Sequence, residues 1–432
     1  MERIRSVHVA SHVGERVRIV GWLQSLRKLG GVSFLVIRDG WGLTQAVADA
    51  ERLAPLAGSS LESVIAVEGE VRAEPQAAAG VELGDIAVEV LSRVTEPPPL
   101  PMNKKTLNAQ LPQLLEHAVV ANRHPTRRAI FRLGAAVMRG FRHALDERGF
   151  VEIQSPKLVE TATEGGSNVF GVNYFGRAAY LAQSPQFYKQ AMVGVFERVY
   201  EVGPVFRAEP HDTRRHLNQY TSLDVELGFI RDHFEVMSLL VEVLRAILGQ
   251  VAAQCEPELK ALGARLPELG ATVPHIHFAE AQDLLVAALG EHERGQPDLS
   301  PEGERWLGQW AQEKHGSEFL FVTGYPLHKR PFYTHPDPER PGYSNSFDLL
   351  FRGTELVTGG QRLHRYASYL EAIAARGVEE ASIAAYLQAF KHGMPPHGGF
   401  AIGLERFLMQ LLDLPNVRLA SLFPRDLNRL AP

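Results

Sequence analysis

The residues best placed for chemistry surround one short polar segment in the middle of the chain. Residues 209–219 are dense in charge, and the apolar residues on either side predict the two strands of a hairpin. Arg207 and Glu209 are two positions apart on the first strand, so their side chains point to one face of the sheet. The same spacing puts Asp224 and Glu226 on one face of the second strand. Because unpaired buried charges cost several kcal/mol, we expect this face to line a polar site and not the core.

The tip of this hairpin adds cations that suit a phosphate group. Arg214, Arg215 and His216 follow Arg207 within a few residues. An arginine guanidinium is planar and can bind two oxygens of a phosphate or a carboxylate at once. A surface hairpin held together by salt bridges is the alternative interpretation, and this segment alone leaves it open.

The composition is that of an ordinary globular protein and excludes several other classes. A length of 432 residues fits two or three domains, and 45% of the residues are hydrophobic. The single cysteine, Cys255, excludes a disulfide framework and a cysteine-rich zinc site. A net charge of -5 gives no argument for nucleic acid, so any such site must be a local patch. The first residues lack an apolar signal, and no apolar run reaches about 18 residues, so we expect a cytoplasmic protein without a membrane span.

Residues 1–98 predict an all-β domain that precedes the hairpin. Short runs rich in valine and isoleucine recur between glycines and polar residues, at 16–24, 33–39, 43–48, 63–72 and 86–92. A short helical segment after the third run completes the pattern of a five-stranded oligonucleotide-binding (OB) barrel. The domain holds ten Lys or Arg and thirteen Asp or Glu residues, so it is not basic overall. Small barrels also bind sugars or proteins, and these alternatives stay open at this point.

One loop of this barrel has residues suited to nucleic acid. Residues 25–31 are expected to join the first two strands, with Arg27 and Lys28 at the base of the loop. Trp22 and Phe34 offer rings on which a base could stack, unless they belong to the barrel core.

A stretch of prolines separates the barrel from the rest of the chain. Residues 95–101 contain four prolines, each of which fixes φ and disfavours a helix. We therefore expect a hinge at 99–125 and a second domain at 126–432. That domain begins with an amphipathic helix and a short strand at 150–156, and a mostly helical insertion is expected at about 250–300.

Further candidate residues are spread over the second domain. Ser184 and Pro185 predict a helix start, which places Gln186 and Lys189 on one face of the helix. A solvated helix face is the alternative for this pair. Glu164 lies beside two glycines, which predicts a mobile loop and a candidate lid.

Two glycine-containing turns near the C-terminus could accommodate a ligand. A hairpin around Gly353 carries Glu355, whose carboxylate suits Mg²⁺ in combination with phosphate oxygens. Arg362 follows a pair of glycines, which let the backbone approach a ligand closely; a salt bridge at a helix start is its alternative. Gly403 and Arg406 mark a strand-to-helix turn that lacks both the P-loop and the dinucleotide fingerprint.

Three segments in this order resemble the three motifs of class II aminoacyl-tRNA synthetases: 150–156, then 206–209 with 215–217, then 403–406. Together with the N-terminal barrel, the resemblance covers nearly the whole chain. Within the class, the chain is most similar to aspartyl-tRNA synthetases of the compact archaeal/eukaryotic type, through residues 186–189, 330–334, 346–348 and 358–362. The resemblance implies an α+β protein with an OB-fold anticodon-binding barrel, an antiparallel catalytic sheet of six or more strands, and a homodimer.

The same resemblance implies an aspartate–tRNA ligase. Such an enzyme activates L-aspartate with ATP to aspartyl-adenylate and then transfers aspartate to the 3′ end of tRNA(Asp). A non-discriminating enzyme also charges tRNA(Asn) and needs an amidotransferase partner to convert the mischarged product. The alternatives are an asparaginyl-tRNA synthetase and a non-catalytic relative that binds tRNA.

Each site residue takes a role from this resemblance, with Arg207 as the catalytic residue that holds the α-phosphate and the attacking carboxylate. Lys189 is expected to favour aspartate, because its charge would lose its partner if asparagine were bound. The residues implied for aspartate are Glu164, Gln186, Lys189, Arg207, Thr358 and Arg362. The residues implied for ATP are Arg207, Glu209, Arg215, His216, Leu217, Glu355, Gly403, Leu404, Glu405 and Arg406, with Glu355 and Thr358 as ligands of Mg²⁺.

Overall fold

The chain folds as two units, Met1–Pro125 and Thr126–Pro432. The structure is a computed structural model that describes residues 1–77, 79–160 and 168–431.

The first unit contains a closed barrel of five strands in the order β1-β2-β3-β5-β4. Buried and partly exposed residues alternate along β1 and β2, as expected for strands with one face on a core. The barrel is filled by aliphatic side chains such as Ile19, Leu35 and Ile65. Its strands are β1 Arg16–Leu29, β2 Val32–Arg38, β3 Leu43–Ala48, β4 Val64–Ala73 and β5 Val81–Ser92. The predicted five-stranded OB barrel is confirmed.

The turn between β1 and β2 is tighter than the sequence predicted. β1 continues to Leu29 and pairs with β2 down to Val32, so only two glycines connect the strands. Gly30 has a φ of 62°, a left-handed conformation that favours glycine. Arg27 and Lys28 therefore lie on an exposed strand end and not in a loop.

The two aromatic candidates of the barrel lie outside its core. Trp22 and Phe34 are partly exposed, and neither belongs to the buried cluster of the barrel. The guanidinium of Arg38 lies 5.4 Å from the centroid of the Trp22 ring.

In place of the expected helix after the third strand, the chain forms a single 3₁₀ turn, Ala54–Leu56.

The predicted hinge is partly structured. It carries two short helices, α1 Leu111–Glu116 and α2 Ala118–Ala121. Leu100 and Met102 are buried in a small apolar cluster, and the Met102 carbonyl accepts a hydrogen bond from Gln24 of the barrel. The segment therefore packs within the first unit.

The second unit is built on an eight-stranded sheet in the order β12-β13-β14-β15-β16-β11-β10-β6. Pairing is antiparallel in the centre and parallel at both edges, between β12 and β13 and between β10 and β6. A separate three-stranded sheet has the order β7-β9-β8. The strands are β6 Val151–Glu152, β7 Leu158–Val159, β8 Gly171–Tyr174, β9 Arg177–Leu181, β10 Arg198–Phe206, β11 Gln219–Gly228, β12 His275–His277, β13 Phe319–Thr323, β14 Ser346–Phe351, β15 Thr354–Gln361 and β16 His397–Gly403.

Helices cover this sheet, and two of them supply much of its core. The amphipathic helix α3 and the apolar helix α5 bury their residues in the same cluster as the sheet. The helices are α3 Pro125–Asp146, α4 Gln186–Phe196, α5 His233–Gln254, α6 Glu256–Leu262, α7 Phe278–Leu289, α8 Pro301–His315, α9 Tyr366–Ala374, α10 Ala384–Lys391 and α11 Leu404–Leu411.

Residues 228–300, which lead into and include the predicted insertion at about 250–300, are more central to the second unit than the peripheral position expected of an insertion. Helix α5 is long and apolar enough to cross a membrane by length and composition, and half of that window is buried in the protein. Its buried residues, such as Leu240 and Val243, pack in the main core. Strand β12 forms an edge of the main sheet. The apolar helix α5 and the strand β12 are thus part of the second unit's core and sheet.

Candidate active site

A cavity of about 420 Å³ opens over the centre of the main sheet. Strands β11, β15 and β16 form its floor, and α4, α11 and the loop between β10 and β11 form its sides. Thirteen of the predicted site residues line it: Gln186, Lys189, Arg207, Glu209, Arg215, His216, Leu217, Glu355, Thr358, Arg362, Gly403, Glu405 and Arg406. Residues more than 200 positions apart thus meet in one pocket.

Two predicted site residues do not appear in this lining. Glu164 lies outside the described residues. The side chain of Leu404 is 7% exposed and packs in the main core, because it points inward at the start of α11. Its side chain therefore contributes to packing and not to the pocket.

One end of the pocket is formed by buried charges. Asp224 and Glu226 lie on one face of β11, as predicted, and both reach the ammonium of Lys189. The Nζ atom lies 3.0 Å from Asp224 Oδ1 and 3.4 Å from Glu226 Oε2. The expectation that this sheet face stays out of the core is wrong for Glu226, which is fully buried. It is tolerated there because cations neutralise it.

Arg362 is the second cation at this end. Its Nε lies 2.9 Å from Glu226 Oε1 and its Nη2 3.4 Å from Oε2, so the pair is bidentate. Nη2 also donates to the Gly399 carbonyl at 3.0 Å. Nη1 makes no hydrogen bond to the part of the chain that the structure describes. Since Arg362 lines the cavity, this group is available to a ligand.

The pKa values at this end follow from the pairing. Burial alone would raise the pKa of Glu226, but the charges of Arg362 and Lys189 outweigh it and lower that pKa. Burial alone would lower the pKa of Arg362, and Glu226 reverses this and raises it. Both groups are therefore ionised at neutral pH.

The expected argument for Lys189 needs correction. Its ammonium already has the two carboxylates as partners, together with the carbonyl oxygens of Val225 and Phe400 at 3.4 Å each. Lys189 would thus keep its partners whatever side chain is bound. The free donors at this end belong to Arg362, and Lys189 balances the negative charge of β11.

Helix α4 brings Gln186 and Lys189 to the pocket. Pro185 is the N-cap residue, one position later than the predicted cap Ser184, and the Ser184 hydroxyl accepts a hydrogen bond from the Gln186 amide at 3.3 Å. Both Gln186 and Lys189 are buried, so the solvated-face alternative is wrong.

The other end of the pocket carries cations that are more exposed. Arg207 lies just past the end of β10, and its Nη1 is 3.9 Å from Glu209 Oε1. His216 Nε2 is 3.7 Å from Glu209 Oε2, and burial lowers the pKa of this histidine. Arg406 Nη1 is 3.6 Å from Glu355 Oε1. Arg406 is held only loosely by Glu355 and can turn to the oxygens of a phosphate chain. His216 is mostly neutral at neutral pH because of its lowered pKa, so it contributes a ring N–H and not a charge.

Glu405 differs from its neighbours at this end because it is buried. Burial raises the pKa of its carboxyl to about 7. The two oxygens of Glu405 accept the backbone N–H of Thr221 at 3.0 and 3.2 Å. This contact ties the start of α11 to strand β11.

The oxygen groups between the two ends fit a divalent cation. The Thr358 hydroxyl donates to Glu355 Oε1 at 3.2 Å, and Asp348 is the cross-strand neighbour of Thr358. Asp348 Oδ1 is buried and has no hydrogen-bond partner among the described residues. Within the same residues, no cluster of three or more His, Cys, Asp or Glu could hold a metal alone. One or two carboxylates beside a phosphate site are the arrangement that Mg²⁺ prefers.

Several residues of the site were not predicted. Asp348 binds Arg330, with Oδ2 at 2.8 Å from Nη2, and burial raises the pKa of Asp348 to about 6. Glu304 lies 3.2 Å from Arg215, and its pKa is raised by burial. Asp348 and Arg330 lie in segments that carried the resemblance, which could have identified them. Glu304 lies on α8 and had no such signal.

Comparison with known proteins agrees with this arrangement. The family model for tRNA synthetases class II (D, K and N) matches residues 111–427, and a model for the OB-fold nucleic acid binding domain matches residues 17–90. The chain belongs to the class II tRNA synthetases. The resemblance predicted from the three motifs is confirmed, as is the α+β fold of this synthetase.

Similar proteins cover this synthetase almost completely. It is 49% identical over 422 residues to the aspartate–tRNA(Asp/Asn) ligase of Thermus thermophilus, with 98% of each chain covered. It is 40% identical to the aspartate–tRNA(Asp) ligase of Pyrococcus horikoshii over 97% of each chain. Among solved structures, the asparaginyl-tRNA synthetase of Pyrococcus horikoshii with asparaginyl-adenylate matches at a TM-score of 0.92 and 31% identity, over 100% of both chains.

Proposed function

We propose that this protein is an aspartate–tRNA ligase. The carboxylate of L-aspartate attacks the α-phosphorus of ATP, the bond to the bridging oxygen breaks, and pyrophosphate leaves as aspartyl-adenylate forms. The terminal ribose hydroxyl of the tRNA then attacks the acyl carbon, and AMP leaves. The relatives named aspartate–tRNA ligase, at 40–49% identity over nearly the full chain, support this activity.

The observation that carries the proposal is the buried arginine at the amino-acid end. Arg362 is held by Glu226 on one edge of its guanidinium and keeps Nη1 toward the cavity. A side-chain carboxylate is an acceptor and fits this donor group, whereas the amide nitrogen of asparagine would bring donors to it. The pocket therefore favours aspartate over asparagine.

The exposed cations at the other end suit the nucleotide. Arg207 lines this end together with Arg215, His216 and Arg406, and we propose that it holds the α-phosphate and the attacking carboxylate. Displacement at phosphorus is catalysed mainly by positioning and by neutralising charge. Arg207 is accordingly the residue that we propose as catalytic.

We assign Mg²⁺ to Glu355 and Thr358, with Asp348 beside them. The ion neutralises phosphate charge when it is bound with ATP. The carboxylate of Glu355 has the further task of pairing with Arg406, at 3.6 Å. This contact places the cation of α11 beside the same oxygens.

The tRNA acceptors and partners follow from the relatives. The relatives from Thermus thermophilus, Deinococcus radiodurans and Aeropyrum pernix are each named for both tRNA(Asp) and tRNA(Asn). We therefore propose a non-discriminating enzyme that charges both tRNAs and depends on an amidotransferase to convert aspartyl-tRNA(Asn). We also propose a cytoplasmic homodimer that does not associate with a membrane.

ATP–pyrophosphate exchange tests the proposed activity. The protein should catalyse exchange with L-aspartate, and with L-asparagine about ten- to a hundredfold less, since a missing charged hydrogen bond costs roughly 1.5–3 kcal/mol. Stronger exchange with asparagine would support the asparaginyl alternative, which the similar fold of an asparaginyl enzyme keeps open. Exchange with neither amino acid would support a non-catalytic relative.

Charging assays test the acceptor range separately. Purified tRNA(Asp) and tRNA(Asn) should both accept aspartate, with rates that differ by less than about tenfold, equivalent to 1.4 kcal/mol. Charging of tRNA(Asp) alone would make the enzyme discriminating and leave the first step of the proposal intact.

A further inference from the structure

A closed set of hydrogen bonds lies behind the amino-acid end of the pocket. Gln190 Nε2 donates to the Tyr369 hydroxyl oxygen at 3.1 Å, and the two tyrosine hydroxyl oxygens lie 2.8 Å apart. The Tyr386 hydroxyl donates back to Gln190 Oε1 at 3.0 Å. All three side chains are buried. The ring reaches the pocket through Gln186, whose Nε2 donates to Gln190 Oε1 at 3.0 Å.

The ring alone does not decide which way the Gln190 amide points. A hydroxyl can both donate and accept, so the ring is also satisfied if the amide oxygen and nitrogen exchange places and both hydroxyls turn round. The orientation is fixed only if a neighbouring group can either accept or donate a hydrogen bond but not both. His397 is that neighbour, with its Nε2 at 3.0 Å from Gln190 Nε2.

The polarity of His397 is set by a backbone carbonyl. His397 Nδ1 lies 2.9 Å from the Pro395 carbonyl oxygen, which can only accept, so Nδ1 carries the proton. Burial lowers the pKa of His397 to about 4, so its imidazole is neutral and its Nε2 is an acceptor. Gln190 must then present its NH₂ group to the imidazole and its oxygen to Gln186. Gln186 in turn must donate from its NH₂ group to the Gln190 oxygen.

We propose that Gln190 and His397 are positioning residues that hold Gln186 with its amide oxygen toward the pocket, as a hydrogen-bond acceptor. Gln186 is 4% exposed and lines the cavity. Its Oε1 makes no hydrogen bond to the residues that the structure describes. An amide oxygen that faces the cavity without a protein partner lowers the free energy of a complex when a ligand donates to it.

The chemistry of the amino acid identifies that donor, given the proposed function. L-aspartate has two carboxylates, which only accept, and one ammonium, which only donates. Gln186 Oε1 therefore takes the α-ammonium, while Arg362 takes a carboxylate. The amide orientation selects an amino acid over a dicarboxylate that lacks the amino group.

Succinate provides the test, because it is aspartate without its ammonium. In the exchange assay, Gln190→Met should raise the KM for L-aspartate by about tenfold, the size of one lost charged hydrogen bond, and leave the inhibition constant of succinate unchanged. A general distortion of the pocket would weaken both ligands equally. That outcome, or an unchanged KM for aspartate, would overturn the proposal.

Two matched variants make the test specific to orientation. Tyr386→Phe removes one bond of the same ring but leaves His397 against Gln190, so the ratio of aspartate KM to succinate inhibition constant should stay as in the wild type. In a double-mutant cycle, Gln186→Met combined with Gln190→Met should be no worse than Gln186→Met alone, because Gln190 acts through Gln186. Additive losses would contradict the proposal.

A further variant covers the case in which Gln190→Met does not fold. His397→Leu leaves the ring intact and makes both amide orientations equivalent, so half of the molecules hold Gln186 correctly. The KM for aspartate should then rise about twofold, with succinate inhibition unchanged. An unchanged ratio of the two constants would refute the role of His397. Exchange by the wild-type protein tests the underlying activity independently of these variants.

Discussion

The two ends of the pocket hold their charges in opposite ways. At the amino-acid end, the side chains of Arg362 and Glu226 are 8% and 0% exposed, and their closest contact is 2.9 Å. At the nucleotide end, the side chains of Arg406 and Glu355 are 31% and 39% exposed, and they approach to 3.6 Å. The first pair is almost completely shielded from water and is bidentate, with Nη1 of Arg362 left for a ligand, whereas the second pair is partly hydrated.

This difference separates recognition from catalysis. Burial of the amino-acid end requires that its charges be matched within the protein, so the geometry exists before the ligand arrives. The nucleotide end keeps its cations in partial contact with water, where a salt bridge contributes little. Arg406, whose contact with Glu355 is long, gains a stronger partner in the phosphates of ATP, as expected for a group that acts on developing charge.

The largest expected effect comes from breaking the buried pair. Arg362→Leu should lower the free energy of unfolding by about 3–5 kcal/mol, because Glu226 keeps its buried charge without its bidentate partner. Arg406→Leu is the matched control and should cost less than about 1 kcal/mol. Urea denaturation measures both, and equal losses would contradict the contrast between the two ends.

The next effect concerns the nucleotide end. Arg207→Met should lower kcat for ATP–pyrophosphate exchange by about 10²–10³, the range for removing one group that stabilises a transition state. The side chain is 37% exposed, so the urea midpoint should not change. A loss of stability equal to that of Arg362→Leu would show that Arg207 has a structural role instead.

A third change sharpens the role of Lys189. Lys189→Leu leaves Asp224 and Glu226 with one cation, which makes this end of the pocket more negative. The KM for aspartate should rise by about a hundredfold, because like charges about 6 Å apart repel by roughly 3 kcal/mol at an effective dielectric constant of about 20. The KM for ATP should change far less, and equal changes in both constants would refute the assignment.

The smallest expected effect concerns Glu405, which is buried although its neighbours at the nucleotide end are more exposed. The pKa of Glu405 is raised from 4.5 to about 7, so its stabilising contribution is complete below pH 4.5 and is lost as the pH rises through 7. The unfolding free energy of the wild type relative to Glu405→Gln should therefore fall by about 2 kcal/mol between pH 4.5 and pH 6.5. Parallel pH profiles for the two proteins would contradict the burial of this carboxyl.

The sequence was most informative where a local pattern carries the structure. Alternating residues predicted the barrel strands, and Gly353 marked the turn between β14 and β15. Ser184 and Pro185 located the start of α4 to within one residue. In each case neighbouring residues determine the conformation, so periodicity and turn residues are sufficient.

The same patterns failed where burial depends on distant segments. Helical spacing alone favoured a solvated face for Gln186 and Lys189. Strand spacing alone predicted that Glu226 lies outside the core. Leu404 was grouped with the site because it lies inside a motif. Periodicity shows which residues share a face and not what covers that face.

The sequence by itself determined the family, because the three motifs and the barrel pattern are contiguous stretches. Such stretches can be recognised without knowing which residues are in contact. Only the tertiary structure decided how the charges are paired. Lys189 meets β11 more than 30 residues further along the chain, and Arg362 meets Glu226 across more than 130 residues. Such pairs form because the sheet order β15-β16-β11 brings the end of β15 close to β11, and α4 packs against the same strand at a buried surface, where an unpaired charge would be too costly to keep.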